Sequence, residues 1–120
     1  MKILSVIVLF TLWSKSCEKV QQNTLVKGKV IYRSCATIAV QVLDEKHKSL
    51  GQPTWQMAEE KTVFNNVFAV SNQCSFPAEF KVGAEFSFVT VLQDSTMQNC
   101  MQCQLWDNPP TTKQMIKVLK

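Results

Sequence analysis

Five cysteines carry most of the reactive chemistry in this chain: Cys17, Cys35, Cys74, Cys100 and Cys103. Thiols form disulfides in oxidising compartments and do catalytic or metal-binding work in reducing ones, so location decides their role. Cys100-Met-Gln-Cys103 has the C-x-x-C spacing of a redox or zinc motif. A redox pair of this kind opens a helix after a strand, and neither is predicted around Cys100. A zinc site needs a second close ligand pair, whereas Cys35 and Cys74 stand apart and His47 is the single histidine. Structural disulfides are therefore expected, with no metal and no cofactor. A thiol oxidoreductase using Cys100 and Cys103 is the lesser alternative. Five is odd, so two bridges leave one thiol over; a cut after Cys17 would leave four.

The compartment is readable from the first residues. Lys2 supplies a positive start, Ile3–Trp13 is an apolar run, and Ser14 and Ser16 place small residues at the −3 and −1 positions of a cut before Cys17. That order is the one a signal peptidase reads. The run falls well short of the roughly 20 residues that span a bilayer. Residues 1–16 are thus expected to be a signal peptide, residues 17–120 a single secreted, extracellular domain, and no membrane span is expected. Cleavage removes Lys2 and Lys15, which reduces an already mild net charge of +4. With no dense Lys/Arg run, nucleic acid is not an expected partner.

Other catalytic groups are sparse. His47 lies in the solvated cluster Asp44-Glu45-Lys46-His47-Lys48, and Glu59-Glu60 are adjacent rather than facing. Gly28, Gly51 and Gly83 stand alone, so no phosphate loop forms, and no G-x-S-x-G elbow occurs. An enzyme is not expected. Trp55 and Trp106 are flanked by polar residues; they suit either an interface core or the shielding of a core or disulfide. Lys27, Lys29 and Arg33 fall on one face of a strand, as a basic stripe for an acidic glycan or as a solvated, edge-protecting face. Asn72-Gln73-Cys74 is at most a rare glycosylation variant, and a disulfide at Cys74 would compete with it.

The elements that must position these residues read mainly as strands. Leu25–Arg33 alternates, with Val26, Gly28, Val30 and Tyr32 on one side. Thr37–Leu43 repeats the pattern, and Asp44–Gly51 is a turn or loop. Trp55–Lys61 contains good helix formers. Lys61–Ser71 is rich in β-branched and aromatic residues, with Asn65-Asn66 marking a bulge or bend. Phe80–Leu92 alternates through Phe86 and Phe88, and Gly83 interrupts it. Met101–Asp107 is a shorter alternating piece, stopped by Asn108-Pro109-Pro110. Thr112–Lys120 places Met115, Ile116 and Leu119 on one helical face and predicts a C-terminal helix. About five strands with one or two short helices predict a small antiparallel barrel or sandwich.

The stretch Gln73–Leu92 (QCSFPAEFKVGAEFSFVTVL), followed by Cys100–Trp106, resembles the netrin-like module of tissue inhibitors of metalloproteinases, netrins and complement proteins. Gly28-Lys29-Val30 and Thr37–Leu43 are similar to its opening strands. The resemblance implies an all-β, five-stranded OB-like barrel, stabilised by disulfides, with a terminal helix. It implies a Cys17–Cys74 bridge and a bridge from Cys35 to Cys100 or Cys103. In the inhibitor branch the N-terminal cysteine chelates the catalytic zinc of the target; Cys17 matches that position, while Lys19 stands where the inhibitors have a second cysteine. The resulting expectation is a secreted, non-enzymatic protein-binding domain whose partner is an extracellular protein, with a metalloproteinase as one such partner. Cys17, Trp55 and Trp106 are its candidate contacts. The alternative is a secreted carrier in which Phe76–Phe88 lines an apolar cavity.

Overall fold

Alternating side chains give the chain three of its long-range ladders. The computed structural model describes residues 24–57, 60–93 and 103–119. β1 (Val26–Arg33) pairs antiparallel with β2 (Ile38–Val42) and with β5 (Glu85–Thr90). β2 pairs antiparallel with β4 (Val63–Val70), which pairs in turn with β3 (Gln52–Gln56). The last segment splits into β6 (Lys113–Gln114), parallel to β4, and β7 (Ile116–Leu119), antiparallel to β5. The sheet runs β3-β4-β2-β1-β5-β7, with β6 beside β4.

One face buries the main core: Val26 and Val30 of β1, Ile38, Val40 and Val42 of β2, Phe68 and Val70 of β4, Phe86 and Phe88 of β5, and Ile116 of β7. These are the alternate residues of each strand, as a pleated sheet requires. Gly28 belongs to the same face; a Cβ there would lie 2.8 Å from Val40 and 2.9 Å from Phe88. Phe76, Phe80 and Phe86 contact one another at ring-centroid distances of 5.5 to 5.9 Å. Aromatic rings fill this end of the interior.

A bulge in β1 creates the second, smaller core. Val30 pairs with Val40, but Tyr32 rather than Ile31 pairs with Ala39. The extra residue reverses the alternation beyond it. Ile31 joins Ala39, Trp55 and Val67 on the opposite face, with Tyr32, Met57 and Phe64 against them. Arg33 swings to the main-core side, where its guanidinium sits 5.2 Å from the centre of the Phe76 ring and donates to the Pro77 and Phe80 carbonyls. The expected Lys27–Lys29–Arg33 stripe is broken at that point.

Three expectations are corrected. Among the described residues the sheet does not close into a barrel: its path ends on β3 and β7. The segment that could close it pairs with β4 over only two residues, and a side chain takes over where the ladder stops. Buried Asn72, just past β4, accepts from the Ile116 N–H and donates to its carbonyl, at 3.0 and 2.7 Å. Thr112–Lys120 is not a helix. Gln114 and the core-facing Ile116 and Val118 also fit a period of two, and the open edges of β4 and β5 select the strand. Trp55–Lys61 is not a helix either. Trp55 and Gln56 belong to β3, drawn there by pairing with Phe64 and Val63, and residues 58–59 lie outside the described residues. Asp44–Gly51 forms a 3-10 turn over Glu45–Leu50, capped by the Asp44 side chain on the Lys46 N–H. The Phe80–Leu92 strand begins at Glu85, because Gly83 (φ 97°) turns the chain and donates to the Val30 carbonyl.

Candidate functional site

The segment 103–112 lies across the second face of the sheet as a strap with no regular structure until Lys113. Its attachments come from β1 and the turn after it, from β3 and from β4. Cys103 is disulfide-bonded to Cys35, with Cα atoms 5.7 Å apart. Asp107 receives three hydroxyls: Tyr32 at 2.9 Å, Thr37 at 2.6 Å, and Ser34. The Trp55 indole N–H donates to the Asn108 carbonyl at 2.9 Å, and the Asn108 amide donates to the Gln56 carbonyl. Pro110 is fully buried. The Gln52 carboxamide oxygen accepts from the N–H groups of Thr111 and Thr112, and the Ala69 N–H donates to the Thr112 carbonyl.

Asp107 is the electrostatic centre of this arrangement. Burial opposes its ionisation, and the hydroxyls of Ser34, Thr37 and Tyr32 outweigh that, holding the carboxyl below the usual carboxylate range. Ser34 also accepts from the N–H groups of Ala36 and Thr37, so one turn after β1 both carries Cys35 and presents two of the three donors. With its lone pairs engaged by hydroxyls, the carboxylate holds structure and offers no free base.

Between the disulfide and Asp107 lie Gln104, Leu105 and Trp106, all exposed. Trp106 is 80% exposed and Leu105 54%. The two tryptophans singled out by sequence therefore part company: Trp106 stands in solvent, and Trp55, only 5% exposed, packs against Tyr32 and Phe64 in the second core.

The remaining candidates are engaged elsewhere. Cys35 bonds to Cys103, so Cys103 is not half of a C-x-x-C dithiol. Cys74 is also disulfide-bonded, to a partner outside the described residues. Cys17, Cys100, Glu59 and the expected signal peptide lie outside the described residues as well. His47 contacts Asp44 at 2.9 Å in the 3-10 turn; that bond and the Lys46 N–H lower the Asp44 carboxyl. Among the described residues, no three His, Cys, Asp or Glu side chains cluster as a metal site would require, and no helix is long and apolar enough to cross a membrane. Sequence reasoning missed Asp107. Its partners are more than 70 residues away at positions 32 and 34, and nothing in Trp106-Asp107-Asn108-Pro109 announces them.

No family model, curated protein or solved structure matches the chain.

Proposed function

We propose that this chain is a secreted, non-enzymatic module of OB-like, netrin-like build that binds an extracellular protein. The observation that carries this reading is the strap. Its acid, its cysteine and its amides all serve to fix residues 103–112 in place, and what they leave outside includes an apolar pair, Leu105 and Trp106. Proteins expose aromatic anchors of this kind at interfaces. The OB-like reading is supported by the strand connectivity. β1 lies between β2 and β5, and residues 113–119 reach β4 in parallel and β5 in antiparallel fashion. A partly open Greek-key barrel has this kind of order. Secretion is supported by the oxidised Cys35–Cys103 pair together with the N-terminal sequence. Against the carrier alternative, the Phe76–Phe88 aromatics pack on one another, which leaves less room for a ligand.

The metalloproteinase inhibitor is the narrower form of this proposal and depends on Cys17 becoming the N-terminus. The test is titration of a zinc metalloproteinase catalytic domain with the secreted protein and with a form extended by one alanine before Cys17. The inhibitor form of the proposal expects inhibition by the first and not the second. Equal behaviour of the two removes the inhibitor and leaves the broader binding module. A stoichiometric apolar ligand released from the purified protein on denaturation would favour the carrier instead.

A further inference from the structure

We propose that the Leu105–Trp106 tip is a preformed anchor that inserts into an apolar pocket on a protein partner. The inference rests on the protein-binding reading and names the surface that does the binding. Two observations point to it. Trp106 and Leu105 are consecutive and both largely in solvent. Their backbone is held immediately on either side, by the Cys35–Cys103 disulfide before Gln104 and by the three hydroxyls on Asp107 after Trp106. A loop fixed at both ends loses little freedom on binding, which raises the affinity a small contact can reach. Tryptophan is also among the residues most enriched where binding energy concentrates.

The charge pattern chooses the partner. Residues 103–112 contain no Lys or Arg, and their single acid, Asp107, is turned inward. An interfacial segment that docks on anionic lipid combines its apolar residues with basic ones; this tip lacks them. An uncharged Gln-Leu-Trp tip suits an apolar protein pocket with a polar rim, in which the indole N–H finds an acceptor.

The test uses the full mature protein with its disulfides intact and two probes: a phage-displayed library of short cyclised peptides, and vesicles of phosphatidylcholine with phosphatidylserine. Peptides are selected on the wild-type protein and then measured against Trp106→Ala, Leu105→Ala and, as an exposed control outside residues 103–112, Lys46→Ala. The recovered peptides are expected to lose about tenfold or more in affinity on Trp106→Ala, less on Leu105→Ala and nothing measurable on Lys46→Ala, the usual profile of a hot spot. Thermal melts should be the same for all four proteins, because the tip is exposed. A selection that returns no binders, or binders indifferent to Trp106→Ala, overturns the proposal. So does Trp106-dependent binding to the vesicles, which would make the tip a lipid contact. None of these outcomes depends on metalloproteinase inhibition, so the surface and the inhibitor reading fail separately.

Discussion

Replacing Asp107 with Ala removes the carboxylate that gathers Tyr32, Ser34 and Thr37 under the strap. A hydrogen bond to a charged group contributes about 1.5–3 kcal/mol, and a buried polar group left without a partner costs about 1–3 kcal/mol. The three donors are not equivalent. Thr37 is buried and has no route to water, so its hydroxyl bears the full penalty. Tyr32 and Ser34 are half-buried and can turn to solvent, which returns most of their loss. The net expectation is about 3 kcal/mol. For a domain of this size that corresponds to a fall in Tm of roughly 15 °C. Differential scanning calorimetry and urea melts of wild type, Asp107→Ala, Thr37→Val and the double variant measure it. The double-mutant cycle should show a coupling of about 1 kcal/mol or more between Asp107 and Thr37. A Tm within a few degrees of wild type for Asp107→Ala, with no coupling to Thr37, would refute the account of the strap.

Phe88 is fully buried beside Phe68 and Phe86, so Phe88→Ala should cost about 3–5 kcal/mol in a denaturant melt. Gly28→Ala places a methyl against Val40 and Phe88 and should destabilise by about 1–3 kcal/mol through overpacking, read the same way. Asn72→Ala strands the Ile116 N–H and carbonyl; a loss of about 3 kcal/mol is expected, with faster hydrogen exchange along β7. Because the Asp107 carboxyl is depressed on folding, the stability it contributes is present above the unfolded value of about 4 and is lost as pH falls through the lower folded value. Stability measured from neutral pH downward should therefore drop below about pH 4, and Asp107→Asn should flatten that part of the profile.

Much of the sheet was legible because local patterning and burial agree in it. Leu25–Arg33, Thr37–Leu43 and Lys61–Ser71 became β1, β2 and β4 with small trims, and Phe86 and Phe88 face the core as their alternation predicts. Asn66 takes a φ of 58° inside β4, which nonetheless runs unbroken from Val63 to Val70. It lies opposite Pro53, which has no N–H to donate and so suits the edge strand β3. Elements decided by tertiary partners were not legible. β3 has one buried residue, Trp55, and becomes a strand only by pairing with β4. Residues 113–119 satisfy helical and strand periods together, and the edges of β4 and β5 decide between them. The β1 bulge shifts Tyr32 and Arg33 to opposite faces from those their spacing predicts, since one inserted residue reverses every position after it. At the site, composition pointed to Trp106, while Asp107 needed three distant hydroxyls brought together by the fold.

The central claim is that a secreted, disulfide-stapled sheet holds the 103–112 strap and its tip in place, and a non-reducing peptide map of the protein recovered from the medium of secreting cells tests it most directly. The account predicts an N-terminus at Cys17, a peptide linking Cys35 to Cys103, and Cys74 in a second bridge. The Cys35–Cys103 link closes a loop spanning 68 positions, worth about 4 kcal/mol in the chain-entropy account, so its reduction should also lower the Tm. Retention of the protein inside the cell, or Cys35 and Cys103 both alkylated without reduction, would contradict the account.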